Sequence, residues 1–345
     1  MLQIGIIGCG MITQMRHAPE YLENKYAQVV GWYDAMPERA QDMATKYGGQ
    51  VFDDWKQMID QGKLDAVSVC APNAAHAEIT IYALEHGLHV MCEKPMATTL
   101  EDCKRMVDAA KAAGKHLFIG QNQRFNKAHI KAHDLIRQGV IGKVLTFRSS
   151  FGHAGPEIWT KSAKTWFYHK SMAAFGAVFD LGIHKIDLMQ YLLGEDFVQV
   201  AAMLGTLDKT FEDGSPISVD DNACITLASK SGAIGQINAS WTYYGGEDNS
   251  TRIYGSKGVM HIFEDDEHPL FITNEDSRTN YEGLGEMQTN DNQTNTGIID
   301  AFVDDIRLDR PTSVSGESVY HAMRAVFGAV ESAETGRFVQ LNQEA

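Results

Sequence analysis

The chain opens with a strand, a glycine turn and a helix in that order, which restricts it to a small set of folds. Leu2-Gln-Ile-Gly-Ile-Ile7 is a short apolar run, Gly8-Cys9-Gly10-Met11-Ile12-Thr13 follows, and helical spacing continues toward Tyr21. This is the context that a dinucleotide-binding fingerprint requires. Gly8 permits the tight turn. Gly10 lets the backbone approach a pyrophosphate, which the free N–H groups of the helix start, at Met11 and Ile12, attract. Thr13 stands at the third glycine position, so a side chain must fit where helix and strand pack closely. The next apolar segment, Ala27–Tyr33, ends in Asp34. An acidic residue closing the second strand of a βαβ unit accepts hydrogen bonds from the adenosine ribose hydroxyls and repels a 2′-phosphate, which favours NAD over NADP. Arg39 keeps NADP open, although it also reads as an ordinary exposed helix residue.

Periodicity extends this start into an α/β domain. Strand-like runs at Ala66–Ala71, His89–Cys92 and Leu117–Gly120 alternate with helical stretches near Pro37–Tyr47, Ala75–Glu85 and Leu100–Ala113. Such alternation builds a doubly wound parallel sheet of Rossmann type, with ligands bound outside the carboxyl ends of its strands. Pro72-Asn73, Glu93-Lys94-Pro95 and Gln121-Asn122 fall at those ends. After Phe125 the character changes. A helical stretch, Lys127–Gln138, leads into Lys143–Ser150 and then into apolar or alternating runs near Val198–Leu204, Ala223–Leu227, Ala233–Trp241, Thr251–Tyr254 and Val259–Phe263. Many strands with few helices between them predict an α+β domain with a large, mostly antiparallel sheet. Glu275–Thr296 is polar and reads as a surface loop, and Glu317–Thr335 returns to helical spacing. The expected division is 1–122 for nucleotide binding and 123–345 for substrate binding and oligomerisation, with helix 317–335 a candidate to pack back on the first domain.

The second half also holds Phe179-Asp-Leu-Gly-Ile-His-Lys-Ile-Asp187. If helical, it sets Asp180, His184 and Asp187 at i, i+4 and i+7, two carboxylates and an imidazole on one face. In isolation Asp180 could cap the helix, His184 could be a core histidine held by a carbonyl, and Asp187 could be a solvated charge. The nucleotide signature upstream favours acid/base chemistry instead.

Gly8-Cys9-Gly10, Asp34, Ala71-Pro72-Asn73 with His76, the stretch from Ala83 to Glu93-Lys94-Pro95, Gly120-Gln-Asn-Gln-Arg124-Phe125, and Asp180-Leu-Gly-Ile-His184 with Asp187 resemble, in order, the motifs of the glucose-fructose oxidoreductase/inositol dehydrogenase/MocA (Gfo/Idh/MocA) family. The resemblance spans nearly the whole chain. It implies a nicotinamide-dependent dehydrogenase acting on a secondary alcohol or ketone of a sugar, cyclitol or related polyol. Lys94, Asp180 and His184 would surround the reacting hydroxyl, and Pro95 would follow a cis peptide. Ala71, Pro72, Asn73, His76, Glu93, Lys94 and Gln121 would join the glycine turn, Asp34 and Arg39 around the cofactor. Arg124, Asp187 and Tyr243 with Tyr244 would contact substrate, and the open sheet face would make a homodimer or homotetramer. The tyrosines also suit edge packing on a sheet, and Arg124 suits a domain-boundary ion pair. The residues support the chemistry independently. Removing hydride from a carbinol carbon requires loss of the hydroxyl proton, and histidine, with an ordinary pKa of about 6.5, can accept it near neutrality. A lysine amine suits the developing charge on oxygen. Aromatics and lysines in Glu157–Tyr168 would suit either a carbohydrate ring or a packed loop.

The 345 residues allow two cores, and 44% hydrophobic with 22% charged is ordinary for a globular protein. A formal charge of −15 argues against non-specific binding to nucleic acid or anionic membrane. Cys9, Cys70, Cys92, Cys103 and Cys224 lack C-x-x-C spacing and read as reduced thiols. With a strand starting just after Met1, the expectation is a cytoplasmic protein without a signal peptide. His129 and His133, at i and i+4, read as solvated surface rather than a metal site, and hydride transfer to NAD needs no metal. Two rival functions share the scaffold: an NAD-dependent glycosidase working by oxidation and elimination, and a non-catalytic NAD-sensing regulator.

Overall fold

The computed structural model describes residues 1–287 and 295–341. The chain divides into two compact units, Met1–Asn122 with Gln288–Tyr320, and Gln123–Met287 with His321–Ala345.

The first unit is built on β1 (Leu2–Ile7), β2 (Ala27–Tyr33), β3 (Gln50–Val51), β4 (Ala66–Val69), β5 (His89–Cys92) and β6 (Leu117–Ile119), in the order β3-β2-β1-β4-β5-β6. All of its strand pairs are parallel. Helices cover both faces of such a sheet, so its strands are continuously apolar, and Ile4, Ile6, Val67, Val69, Val90 and Met91 are wholly buried. The helix Leu100–Ala113 shows how local signals fix the elements between the strands. Thr99 caps it by accepting the Asp102 amide at 3.0 Å, Gly114 ends it with a φ of +62°, and Cys103, Met106, Val107 and Ala110 form the buried stripe. The strand order reverses between β1 and β4, which opens a crevice at their carboxyl ends.

The expected extent of the second domain, 123–345, needs correction, because the segment ending at Tyr320 belongs to the first unit. The helix Ile298–Arg307 buries Ile298, Ile299, Phe302 and Val303, with Phe302 edge-on to Phe118 at 5.8 Å. The Glu20 carboxylate accepts the Thr296 amide at 2.9 Å and its hydroxyl at 2.7 Å. Beyond this helix the chain adds to β6, with the Ile119 amide donating to the Val314 carbonyl at 3.0 Å. A free sheet edge and an amphipathic helix explain the return.

The second unit carries β7 (Val144–Gly152), β8 (Phe197–Gly205), β9 (Asn222–Ser229), β10 (Ile234–Ser240), β11 (Thr251–Gly255), β12 (Gly258–Ile262), β13 (Leu270–Thr273), β14 (Arg278–Tyr281) and β15 (Val339–Gln340). They form one sheet, β14-β13-β12-β11-β7-β10-β9-β8-β15, in which β7 and β10 pair parallel and every other pair is antiparallel. Alternation sets the faces: Gly235, Ile237 and Ala239 of β10 are buried, whereas Ile234 and Gln236 are exposed. Strand β14 falls inside Glu275–Thr296, where a loop was expected. It is an edge strand exposed on both faces, so it lacks the alternation by which a strand is read. Residues 288–294 of that stretch lie outside the described residues. The stretch Glu317–Thr335 lies in a helix, Gly316–Thr335. Among the described residues, no helix is long and apolar enough to cross a membrane.

Candidate active site

The glycine turn after β1 is built to receive a pyrophosphate. Gly8 has a φ of +99°, and a Cβ there would lie 2.5 Å from the Cys70 carbonyl oxygen, so only glycine fits. At Gly10 a Cβ would meet nothing within 4 Å, which leaves open space above the turn. Met11 and Ile12 lead into a π-helical turn, Thr13–His17, and the α-helix Ala18–Glu23. Thr13 is wholly buried, and its hydroxyl donates to the Gly8 carbonyl at 2.6 Å. The departure from a third glycine therefore closes the turn with a side-chain hydrogen bond. Asp34 accepts the Cys9 amide at 2.6 Å and the Met36 amide at 2.8 Å, which fixes its carboxylate beside the turn. Burial and the Asp34 charge push the Cys9 thiol up to about 12, with Arg39 opposing them. Asp34 and Arg39 thus both bear on this turn.

A second group of predicted residues stands at the ends of β4, β5 and β6. Glu93 is buried and accepts His17 Nε2 at 2.8 Å and Arg16 Nη1 at 3.1 Å. Burial alone would raise this carboxyl, but the His17 hydrogen bond and the charges of Arg16, His17 and Lys94 hold it at about 2. Glu93 thereby fastens the end of β5 to the helix that starts at the glycine turn. Its anchors, Arg16 and His17, escape sequence reasoning because the π turn swings them inward. His76 sets Nδ1 2.8 Å from the Pro95 carbonyl and Nε2 2.8 Å from the Ala71 carbonyl. Expected at the cofactor, the imidazole lies between these two carbonyls, and because burial lowers its pKa the neutral ring has one N–H and donates to one of them. Pro72 and Asn73 lead into the helix His76–Glu85, and the Lys94–Pro95 peptide is cis. Gln121 is 1% exposed, and neither its Oε1 nor its Nε2 has a hydrogen-bond partner among the described residues. A buried carboxamide unsatisfied at both ends calls for a polar ligand or a water. With the open Gly10 cradle and the fixed Asp34, it makes the first unit fit a dinucleotide.

In the second unit Asp180 lies in a π-helical turn, Val178–Gly182, continuous with the helix Ile183–Leu193 that carries His184 and Asp187. All three side chains are buried. Asp180 Oδ2 accepts the Trp241 indole N–H at 3.0 Å, and the His184 ring packs 5.8 Å from Phe151. Asp187 and Arg124, each expected to meet substrate, meet one another. Arg124 Nε donates to Oδ2 at 2.7 Å and Nη2 to Oδ1 at 2.5 Å, a buried two-pronged pair. The Tyr243 ring lies on Gly152, where a Cβ would come 2.2 Å from Cδ2. Tyr244 is 61% exposed and donates to Asp208. A cavity of about 260 Å³ is lined by Glu157, Tyr168, Asp208, Lys209, Phe211 and Tyr244, and Lys209 donates to Glu157 at 2.5 Å in its wall.

Two residues contradict the surface expected around them. His129 is wholly buried, with Nδ1 2.8 Å from the Gln123 carbonyl and its ring edge-on to Phe263. His133 stacks on Tyr191 at 4.4 Å. The helix Lys127–Arg137 packs against Ile183–Leu193, which carries this face inward. Lys185, next to His184, is also wholly buried and was not singled out in the sequence. Burial pushes its ammonium down to about 7 against the pull of Asp248 and Glu247.

Comparison with known proteins identifies the family. Residues 2–121 match the model of an oxidoreductase family with an NAD-binding Rossmann fold, and residues 129–261 match the Gfo/Idh/MocA C-terminal domain. The D-glucoside 3-dehydrogenase of Escherichia coli is 29% identical, over 99% of this chain and 97% of that protein. The myo-inositol 2-dehydrogenase of Thermotoga maritima is 29% identical, over 99% of each. A structure of levoglucosan dehydrogenase in complex with NADH and levoglucosan superposes with a TM-score of 0.87 at 26% identity, covering 99% of this chain and 100% of that one. The dinucleotide that the first unit fits is NAD. With both halves matched in order, the chain belongs to the Gfo/Idh/MocA family of NAD-binding oxidoreductases.

Proposed function

We propose that this enzyme oxidises a secondary alcohol of a sugar, inositol or related polyol, or reduces the corresponding ketone. The observation that carries the reading is the pair of buried residues His184 and Asp180 on one continuous helical segment, in a chain whose first unit fits NAD. Bound NAD supplies the hydride acceptor. His184 takes the hydroxyl proton during oxidation and returns it during reduction. Asp180, steadied by the Trp241 indole, orients the imidazole and stabilises its charged form. Lys94 donates to the substrate oxygen and offsets its developing charge. Arg124 and Asp187, locked together, present a fixed donor and acceptor to ring hydroxyls, and Tyr243 adds a hydroxyl. The substrate class follows the relatives, named for a glucoside, an inositol and levoglucosan.

The test is an NADH-fluorescence screen of inositols, monosaccharides and their keto forms with both coenzymes. Growth of NADH with a sugar or cyclitol supports the proposal. Release of an aglycone from a glycoside added to the screen, without net NADH, would replace it with oxidation and elimination, and activity with NADP alone would remove Asp34 from its role. Asp34→Asn keeps an acceptor and loses the charge. It is expected to raise KM for NAD about 10-fold, the worth of a charge-assisted hydrogen bond, and to lower KM for NADP. Initial rates with each coenzyme check this.

The same reading includes a homodimer or homotetramer joined through the sheet face opposite the helices. Strand register puts Thr146, Arg148, Gln236, Thr226, Cys224 and Met203 on that face, and Met203 is 81% exposed. A monomer mass by light scattering would overturn this part.

A further inference from the structure

We propose that Lys185 is a positioning residue for this reaction: it clamps the segment Tyr243–Ser250 to the helix of His184 and so holds the substrate contacts on both sides of that helix. The inference rests on the functional reading above for its consequence, but not for the clamp.

Lys185 is among the largest wholly buried side chains in the protein. Its Nζ donates to the Asn249 carbonyl at 3.0 Å and lies 5.9 Å from the centre of Phe151, the same ring that packs on His184. Asn249 is itself a junction. Its Oδ1 accepts Gln123 Nε2 at 3.2 Å, and its Nδ2 donates to Glu247 at 3.4 Å. Gln123 precedes Arg124, which grips Asp187 one turn beyond His184. Three segments therefore meet at Asn249: the helix with His184 and Asp187, through the Lys185 amine, the segment that starts at Tyr243, and, through Gln123, the residues that carry Arg124.

Burying an ammonium is costly, and an apolar side chain of similar volume would usually be as stable or more so. A buried cation with one carbonyl acceptor is explained if it fixes the register of parts that must act together. The charged and titratable neighbours are consistent with that role. Asp248 and Glu247 face it from the clamped segment, His184 and Asp187 share its helix, and His129 approaches from the helix Lys127–Arg137. Burial, with Lys185 adding to it, pushes His129 down to about 3, so that imidazole stays neutral beside the amine. Either protonation state of Lys185 can donate to the carbonyl.

The test compares Lys185→Met with Lys185→Arg in the full-length protein. By hydrogen exchange, Lys185→Met is expected to speed amide exchange in residues 243–250 about 10-fold while the glycine turn at residues 8–17 is unchanged. With myo-inositol, or whichever compound of the screen is turned over, KM should rise about 10-fold, kcat should fall less than threefold and NAD affinity should hold. Lys185→Arg, which can still donate, should recover part of the KM. Unchanged exchange in Lys185→Met overturns the clamp, and unchanged KM with faster exchange overturns its bearing on substrate. If Lys185→Met does not fold, Lys185→Gln decides: its polar side chain ends one bond short of the Asn249 carbonyl, and exchange in the segment as slow as in the wild type overturns the proposal. A screen without any substrate defeats the functional reading alone, because the exchange measurement still decides the clamp.

Discussion

Turnover by a His184→Ala variant is expected to fall by about 10²–10⁴, the usual worth of a positioned general base, while affinity for NAD stays that of the wild type. The separation of effects has a structural reason. The groups fitted to the dinucleotide, Gly8, Gly10, Asp34 and Gln121, are all in the first unit, whereas His184 belongs to the second. The ring is buried against Phe151 on a helix whose residues from Ile183 to Gln190 are all buried, so its removal leaves a small cavity in a rigid mount. The loss should therefore appear in kcat more than in stability. Steady-state kinetics with a substrate from the screen and an NADH titration followed by fluorescence measure the two quantities. Undiminished turnover would take the histidine out of the chemistry, and equal loss of NAD binding would mean the variant had disturbed the fold instead.

Much of the first unit can be read from sequence because its signals are local. A strand, a positive-φ glycine, a helix and an acidic residue after the next strand are contiguous, and each has one physical reason to be where it is. The long-range partners are silent. Nothing in Arg16-His17 marks them as the anchors of Glu93, since a π turn shifts which residues face inward. The return of Ile298–Arg307 to the first unit depends on an unpaired strand edge elsewhere in the chain. His129 and Lys185 are polar residue types that read as solvated from sequence. Their helices pack on each other, and Ile183–Leu193 is covered on all sides, so it has no polar stripe from which to judge depth. At the candidate site, the motif located Asp180, His184 and Asp187, but the Arg124–Asp187 pairing and the Trp241 hydrogen bond came only with the fold.

Lys185 should leave a signature in the pH dependence of stability. Its pKa is about 7 in the folded protein against an ordinary 10.5, with burial the cause. Below about pH 7 both folded and unfolded chains hold the proton, so the full penalty of a buried ammonium is present. Between about 7 and 10.5 the unfolded chain holds a proton that the folded one has released, so stability rises with pH by up to about 1.4 kcal/mol per unit. Above both values the penalty is gone. Lys185→Met lacks this dependence, and its other titrating groups are those of the wild type. The difference in unfolding free energy, variant minus wild type, is therefore expected to fall by about 3 kcal/mol between about pH 6.5 and 9.5, whatever the cost of leaving the Asn249 carbonyl without its donor. Urea titrations at stepped pH, followed by tryptophan fluorescence, give both curves. Curves that stay parallel would mean that water or a neighbouring carboxylate keeps the amine ordinary. A difference that falls with rising pH, together with loosened exchange at 243–250, would identify Lys185 as a group whose buried charge costs stability at neutral pH while it holds the substrate-binding segments in place.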